Sequence, residues 1–500
     1  MKRSGLLLVA GALLLAACSS GGSSSSGTTA GSAPTSSAPT SSGAPGSTTT
    51  VAGPTTTAAA NLPACHVSAL ASASAPVPIT FWYASGGLIG PVLQKLTDTY
   101  NSSQSKVKVN LIDQQGTDDI LAKYRTASVA DRPNLAQMSD TNLQLLADSK
   151  TIVPVQSCVN EEHFDLSDYT DRAISYYTIQ GALQGMPFNL SMPVLYYNKA
   201  AFRAAGLDPD KPPTTLDELR DVSQKIVASG YSKFGIAFDT GPSSGGSWYI
   251  EQFRAKSDLL YADNQNGRQA RATKVVFNDD TTVQQVTAIQ KLLTDGLAVS
   301  VGQNSDSTQD LLKLADQQEP AAMTNHTSAA LSSVINVLNA GTFPSFKPDD
   351  LGIGPMPAPP GNGGLLVGGA ALWIVKGKSD AETAATWDYV KYLTSPAAQA
   401  EWAAGTGYVP IRKSSLDQEP IKSLYASDPR YAVAYQQLIS GAVTPATAGA
   451  VLGPQGEVRQ ATSEAMQAIF GGADVKASLD TAAQKADAEI ADYAKRTGTS

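Results

Sequence analysis

The sequence predicts an α/β protein with two lobes that face each other across a cleft. Its 500 residues leave room for two or three domains of about 150 residues each. Hydrophobic residues make up 42% of the chain, which is enough for a sizeable core. Strand patterns alternate with helix patterns, as in mostly parallel sheets that helices cover on both faces. A ligand would then bind at the strand ends, between the lobes.

The composition excludes several functions. Charged residues are only 16% and the net charge is −8, whereas general nucleic-acid binding needs a basic surface. Three cysteines and three histidines leave little material for a metal cluster. No apolar run reaches the ~18 residues that cross a bilayer. No P-loop, H-E-x-x-H or EF-hand motif is present, so no metal or cofactor is expected.

Residues 1–17 have the pattern of a secretory signal peptide. Lys2 and Arg3 precede a short apolar run, 6–17, that ends in small residues. The run continues into Leu-Ala-Ala-Cys, which resembles a bacterial lipobox with Cys18 as the acylated residue. The alternative is a plain secretory signal with an incidental cysteine. The lipobox interpretation predicts an extracytoplasmic lipoprotein that is anchored to the cell membrane.

Residues 18–64 are predicted to form a linker between the lipid and the folded body. From 19 to 60 every residue except Val51 is Ala, Gly, Pro, Ser or Thr. Such a stretch has no apolar face to bury and should be disordered. Its root-mean-square span would be about 35 Å.

Once Cys18 is assigned to lipid, Cys65 and Cys158 remain. In an oxidising compartment an even pair predicts one disulfide. Closing a loop of that length contributes on the order of 4 kcal/mol in the chain-entropy model. The alternatives are two free thiols or a weak metal site with His66 and His163.

The body is assigned element by element from its apolar pattern. Strands are predicted where apolar residues run together or alternate with polar ones, and helices where they recur every three or four residues. Thr214 or Thr215 can cap a helix that carries Asp217 and Glu218 in its first turn. The predicted strands are 77–83, 107–111, 135–138, 194–197, 234–238 and 275–277. The predicted helices are 88–100, 120–124, 142–147, the one after Thr215, 283–293 and 461–494.

Three segments carry a resemblance to a known family. They are MPFNLSMPVLYYNK at 186–199 with FRAAGLD at 202–208, GGAALW at 368–373, and TGYVPI at 406–411. They resemble the family-1 extracellular solute-binding proteins of bacterial ABC importers. Their order and spacing are most similar to the sn-glycerol-3-phosphate-binding members, from residue 79 to the C-terminus.

The resemblance implies a periplasmic-binding-protein fold, with two discontinuous α/β lobes around a hinged ligand cleft. The N-lobe would comprise 65–190 plus 327–378, and the C-lobe 191–326 plus 379–500. The chain would cross between them near Ser191, Thr327 and 377–379. The protein would be a monomer without catalytic activity. It would deliver sn-glycerol 3-phosphate or a glycerophosphodiester to the permease subunits of an ABC importer.

The resemblance also implies a site with two ends. At the phosphate end it implies Thr327, Gly369, Tyr408 and Arg459 as a hydroxyl, a backbone amide, a phenol and a guanidinium. A planar donor fork with neutral donors around it suits a phosphate ester. Arg459 could instead pair with Glu457 or surface aspartates, and Tyr408 could be a core residue.

At the glycerol end the resemblance implies Asp140, Ser191 and Trp248. Asp140 would accept hydrogen bonds from diol hydroxyls, although it could instead cap the following helix. The first-lobe position that usually holds tyrosine falls on Gln114. Trp373 and Trp387 are expected in the core, and Trp402 in either place.

Three other functions remain as alternatives. The first is a neutral sugar or oligosaccharide binder of an ABC importer. The second is a secreted serine hydrolase, since 241–245 matches G-x-S-x-G after a strand and His326 lies downstream. It would need Ser243 or Ser244 as nucleophile. The third is a surface receptor or adhesin without transport.

Overall fold

Two mixed β-sheets, each covered by helices, form the two lobes of the protein. The computed structural model describes residues 62–242, 245–303 and 308–499. The predicted signal peptide, Cys18 and nearly all of the predicted linker lie outside the described residues. Within the described part of the chain, none of the helices combines the length and apolar character of a membrane span.

The strands and helices follow one another along the whole body. The strands are β1 Val77–Tyr83, β2 Val107–Asp113, β3 Leu135–Ser139, β4 Ile152–Val153, β5 Thr178–Ile179, β6 Ala182–Leu183, β7 Met186–Ser191, β8 Pro193–Asn198, β9 Phe234–Asp239, β10 Ala298–Gly302, β11 Ala321–Thr327, β12 Leu351–Pro355 and β13 Gly368–Val375. The helices are α1 Ile89–Ser103, α2 Thr117–Thr126, α3 Leu143–Ser149, α4 Val155–Glu162, α5 Asp171–Tyr177, α6 Lys199–Ala204, α7 Leu216–Ser229, α8 Gly245–Lys256, α9 Asp263–Asn266, α10 Asp280–Thr294, α11 Gln309–Leu312, α12 Leu331–Asn339, α13 Asp380–Leu393, α14 Pro396–Thr406, α15 Ile421–Ser427, α16 Ala432–Ser440, α17 Gln455–Phe470 and α18 Val475–Thr497.

The first sheet has the strand order β2-β1-β3-β13-β4, and β7 also pairs with β13. Strands β1, β2 and β3 are parallel, whereas β13 runs antiparallel to β3, β4 and β7. The second sheet has the order β10-β9-β11-β8-β12. Its strands β9, β10 and β11 are parallel, and β8 is antiparallel to β11 and β12. The α/β prediction is confirmed, with mixed rather than purely parallel sheets.

The expected lobe boundaries need correction. Strand β12, assigned to the first lobe within 327–378, pairs with β8 and so belongs to the second sheet. Helices α13 and α14, assigned to the second lobe within 379–500, pack against β1 and α1 of the first lobe. The physical reason is that a short connection keeps a helix on the sheet that it leaves. The chain therefore changes lobes at Met192, between β12 and β13, and after α14, not at Thr327 or 377–379.

Most of the predicted elements lie where the local signals place them, with two exceptions. Thr215 and Glu218 form the reciprocal capping box of α7, as the sequence predicts. The predicted strand 275–277 is wrong, because only Val275 bridges to Ala262. The predicted helix 461–494 is divided into α17 and α18, because Gly472, with φ +96°, ends the first of them.

Cys65 and Cys158 form a disulfide with a Cα–Cα distance of 4.9 Å, as predicted, and both side chains are fully buried. Glu161, one turn after Cys158 on α4, reinforces the link. Its carboxylate accepts hydrogen bonds from the backbone N–H groups of Cys65, His66 and Val67 at 2.7–3.0 Å. The start of the body is thereby fastened to α4.

One continuous hydrophobic core supports both sheets. Trp373, Trp387 and Trp402 are each at most 1% exposed, so all three are core residues. The indole of Trp402 also packs against Tyr408, with ring centres 5.9 Å apart. Tyr408 is thus held in place by the core, although it is only partly buried itself.

Polar contacts join the lobes beside this core. All five donors of Arg268, from the second lobe, go to backbone carbonyls, three of them on Ser175, Tyr176 and Thr178 of the first lobe. Asp148 of α3 accepts from Arg271 and from the Tyr493 hydroxyl of α18. The lobes therefore touch in this structure.

Candidate functional site

The ends of three neighbouring strands bring Asp140, Gly369 and Ser191 together in the first lobe. Ala370 of β13 pairs with Ser139 of β3, so Gly369 lies beside Asp140. On the other side of β13, Gly369 pairs with Leu190 and Gly368 pairs with Ser191. Adjacent strands lie about 4.8 Å apart. These predicted residues therefore form a short row along one edge of the sheet.

Gly369 occupies a position that other residues do not tolerate. Its φ is +122°, and an added Cβ would collide with the carbonyl oxygen of Asn189 on β7. The neighbouring strand can approach this closely only because glycine has no side chain.

We expect Gly369→Ala to lower the free energy of unfolding by about 1–3 kcal/mol, because it combines backbone strain with this clash. Gly368→Ala is the matched control, since its added Cβ would meet only Ser191 Oγ at 3.7 Å. Urea denaturation of both variants measures the difference. Equal stabilities for the two would contradict this account of Gly369.

Tyr408 and Thr327 complete the row. The backbone of Val409 donates to the carbonyl of Leu190 at 2.7 Å, which places Tyr408 next to β7. The backbone of Ser328 donates to the carbonyl of Met192 at 2.9 Å, which places Thr327 next to the crossing between the sheets. Thr327 also caps the turn after β11, where its hydroxyl accepts from the N–H of Ala329 at 3.3 Å.

A cleft of about 490 Å³, including space open to solvent, lies between the lobes beside Tyr408, whereas Asp140, Gly369, Ser191, Thr327 and Arg459 are not among its lining residues. Tyr408, Gln137 and Asn189 line it from the first lobe, and Ala329 and Ser333 from the second. Gln137 donates to the Asn189 side chain at 3.0 Å and accepts from the backbone of Ala84 at 3.0 Å. Hydrogen-bonded amides therefore form part of the cleft wall.

Arg459 is held by a buried carboxylate. Its Nε and Nη2 donate to the two oxygens of Glu251 at 2.9 and 2.8 Å. The side chains are 13% and 5% exposed, so the pair is neither in bulk solvent nor on the surface with Glu457. Burial by itself would lower the pKa of Arg459, but the Glu251 carboxylate raises it more, so the guanidinium stays charged.

Asp140 approaches this ion pair from the first lobe. It accepts from the hydroxyl of Tyr176 on α5 at 2.9 Å and from Ser139 at 2.9 Å. Burial, and next the charge of Asp140, raise the pKa of Tyr176, so the phenol stays protonated and donates. The negative charge of Asp140 acts electrostatically on Arg459. We call Asp140, Tyr176, Glu251 and Arg459 the interlobe charge cluster.

Two of the predicted residues lie at the edges of this arrangement. Trp248 is partly exposed and precedes Glu251 by one turn of α8, so both occupy the same helix face. Gln114 follows β2, and its side chain accepts from Lys123 at 3.0 Å. The structure does not link Gln114 to the charge cluster, and its contact with a ligand stays a prediction.

Two of the three side-chain types that a serine hydrolase would need, a histidine and an aspartate, lie together in the structure. His326 Nδ1 lies 3.1 Å from a carboxylate oxygen of Asp310, and both side chains are buried. Ser243 and Ser244, which would have to supply the nucleophile, lie outside the described residues. Among the described residues, no group of three or more His, Cys, Asp or Glu side chains is arranged to hold a metal ion.

Sequence reasoning missed Glu251, Tyr176 and Gln455 as members of the site. Gln455 donates to Glu251 at 3.0 Å from the first turn of α17. The spacing of Glu251 from Trp248 was the one available signal, because residues three apart share a helix face. Nothing in the local sequence distinguishes Tyr176 from the core residue Tyr177 beside it.

Comparison with known proteins shows that the chain is similar to extracellular binding proteins of bacteria. A family model described as bacterial extracellular solute-binding protein matches residues 95–432. The chain is 29% identical over 444 residues to the sn-glycerol-3-phosphate-binding periplasmic protein UgpB of Escherichia coli strain 536, covering 86% of this chain and 96% of that protein.

Solved structures share the fold. The chain superposes on UgpB from Mycobacterium tuberculosis in complex with glycerophosphocholine with a TM-score of 0.68 at 22% identity, covering 83% and 98% of the two chains. It superposes on a cyclic α-maltosyl-1,6-maltose-binding protein from Arthrobacter globiformis with a TM-score of 0.66 at 25% identity, covering 83% and 100%. Similar folds thus carry both a phosphodiester and a neutral sugar.

Proposed function

The chain belongs to the bacterial extracellular solute-binding proteins, and from that premise we propose that it binds sn-glycerol 3-phosphate or a glycerophosphodiester. As a solute-binding protein of an ABC importer, it captures a small molecule outside the cytoplasm and delivers it to the permease subunits. It is not an enzyme, and the hydrolase alternative is set aside.

The observation that carries the proposal is the buried guanidinium of Arg459 between the lobes. Glu251 occupies its Nε–Nη2 edge, while Nη1 has no hydrogen-bond partner among the described residues. An unpaired guanidinium edge is suited to a phosphate oxygen. The curated relative whose name specifies sn-glycerol 3-phosphate supports the same ligand class.

The other predicted contacts fall into two groups, one around the phosphate of the ligand and one around its glycerol. The hydroxyl of Tyr408 and the backbone of Gly369, in the first lobe, and the hydroxyl of Thr327, at the end of the second-lobe strand β11, would surround the phosphate as neutral donors. Asp140 and Ser191 would receive the glycerol hydroxyls. Each polar group left unpaired by a wrong ligand costs ~1–3 kcal/mol, and this cost would provide the specificity.

Ligand capture is coupled to closure in this proposal. Asp140 and Tyr408 belong to the first lobe, whereas Arg459 and Trp248 belong to the second. A ligand that contacts both sets stabilises the closed arrangement and shifts the population toward it. The closed form would then dock on the permease.

A neutral sugar or oligosaccharide is the second candidate ligand. The observation in its favour is that Arg459 already has a full partner in Glu251, so its charge is compensated without any ligand. The sugar-binding structural neighbour supports the same possibility.

Titration calorimetry of the full chain with sn-glycerol 3-phosphate, glycerophosphocholine and maltose tests the proposal. We expect at least one phosphate ligand to bind about 100-fold or more tightly than maltose, the equivalent of one or two mismatched polar groups. Tight maltose binding with no heat from either phosphate ligand would establish the sugar-binding alternative instead.

The membrane anchor is a separate part of the proposal. Cys18 follows the lipobox pattern, and the linker after it would join the acyl chains to the body. The intact mass of the membrane-bound protein checks this, because an N-terminus without lipid would contradict it.

A further inference from the structure

Glu251 has a structural role that the proposed ligand contacts do not explain. Its carboxylate is 5% exposed and accepts three hydrogen bonds, from Arg459 Nε, Arg459 Nη2 and Gln455 Nε2. A carboxylate on the surface of the lobe could be hydrated by water and would not need three protein donors. Glu251 therefore stays beside the guanidinium that a phosphate ligand has to approach.

The charges that meet at this point cancel. Arg459 and the neighbouring Arg268 contribute two positive charges, while Glu251 and Asp140 contribute two negative charges. Arg268, whose guanidinium lies 5.9 Å from the Tyr176 ring centre, offers no donor to a ligand because carbonyls occupy all five. Burial raises the pKa values of Tyr176 and Tyr261, which therefore stay neutral.

Phosphate esters differ in charge at this position. A monoester carries about −1.5 to −2 at pH 7, because its second pKa is near 6, whereas a diester carries −1. With Glu251 fixed next to Arg459, the ion pair offers no net positive charge to compensate a second negative charge on the ligand.

We infer that Glu251 is a specificity-determining residue that makes the Arg459 subsite select singly charged phosphodiesters, including zwitterionic ones, over dianionic phosphomonoesters. The inference rests on the proposed function and names its ligand class. The Glu251 carboxylate disfavours dianionic ligands, and it also positions Arg459.

The test compares sn-glycerol 3-phosphate with its methyl ester, which has the same glycerol end and one charge fewer. For the wild-type protein at pH 7.5 we expect calorimetry to show about tenfold or tighter binding of the methyl ester, the size of one extra charge repelled in a half-buried site. In Glu251→Gln the preference should shrink to within about threefold. Glu464→Gln, which removes an equal charge from α17 where it pairs with Lys485, should keep the wild-type preference.

A pH series on the wild-type protein gives an independent readout that needs no variant. The monoester should bind more tightly at pH 5.5 than at pH 7.5, because it loses its second charge. The methyl ester controls for titration of the protein, and its affinity should change little. If Glu251→Gln does not fold, this series decides alone.

The possible failures are distinguishable. Equal binding of monoester and methyl ester by the wild-type protein at both pH values, or an unchanged preference in Glu251→Gln, overturns the role of Glu251 and leaves the proposed function intact. Binding of maltose but of neither phosphate ligand overturns the proposed function, and the role of Glu251 with it.

Discussion

Replacing Arg459 by methionine should abolish the binding of phosphate ligands and lower the free energy of unfolding by about 3–5 kcal/mol. The stability loss follows from the 5% exposure of Glu251, because the substitution leaves its carboxylate with only the Gln455 amide as partner. The binding loss follows from the removal of the guanidinium edge. Calorimetry and urea denaturation measure the two effects separately.

Two further variants separate the loss of stability from the loss of ligand binding. Glu251→Gln in the Arg459→Met background should recover most of the stability and none of the binding, because residue 251 then no longer carries a buried charge without its partner. Arg254→Met removes another buried arginine, one that pairs at 2.8 Å with the partly exposed Asp279. It should cost less stability and retain ligand binding. Phosphate binding by Arg459→Met at wild-type affinity would refute the proposed site.

The double substitution of Cys65 and Cys158 by serine should also have a large effect, a loss of about 2–5 kcal/mol in the free energy of unfolding. The bridge joins residues 93 positions apart, so its removal frees a long loop in the unfolded chain. The Glu161 carboxylate still holds the backbone of residues 65–67 in the folded state. The loss should therefore arise mainly from the unfolded state.

Urea denaturation with and without reductant measures this effect. Reductant should bring the wild-type protein to the stability of the double variant and should leave the double variant unchanged. A wild-type protein that reductant does not destabilise would show that the bridge contributes nothing to stability.

The fold was largely predictable because its signals are local. An apolar run identified β1, apolar alternation identified β2, and a threonine followed by a glutamate three positions later identified the start of α7, whereas the glycine signal that ends α17 was overlooked. Each depends on residues a few positions apart, whose backbone preferences act before any tertiary contact forms. The predicted strand at 275–277 failed because its apolar residues found no partner strand beyond Ala262.

Lobe membership was less predictable. The apolar patterns of β12, α13 and α14 would be the same whichever of the two sheets these elements joined. The position of β12 follows from the partner strand that its backbone finds, and the sequence pattern does not contain that pairing. The helices α13 and α14 then follow β13 because the connection before them is short.

The sequence by itself determined the α/β class, the disulfide partners and the residues that resemble a binding site, because these depend on local pattern and residue type. Only the tertiary structure decided that Arg459 meets Glu251, 208 positions away, and that Asp140 faces them from the other lobe. The energy of a buried charge depends on which groups surround it in space. That environment exists only after two lobes from distant parts of the chain have packed together.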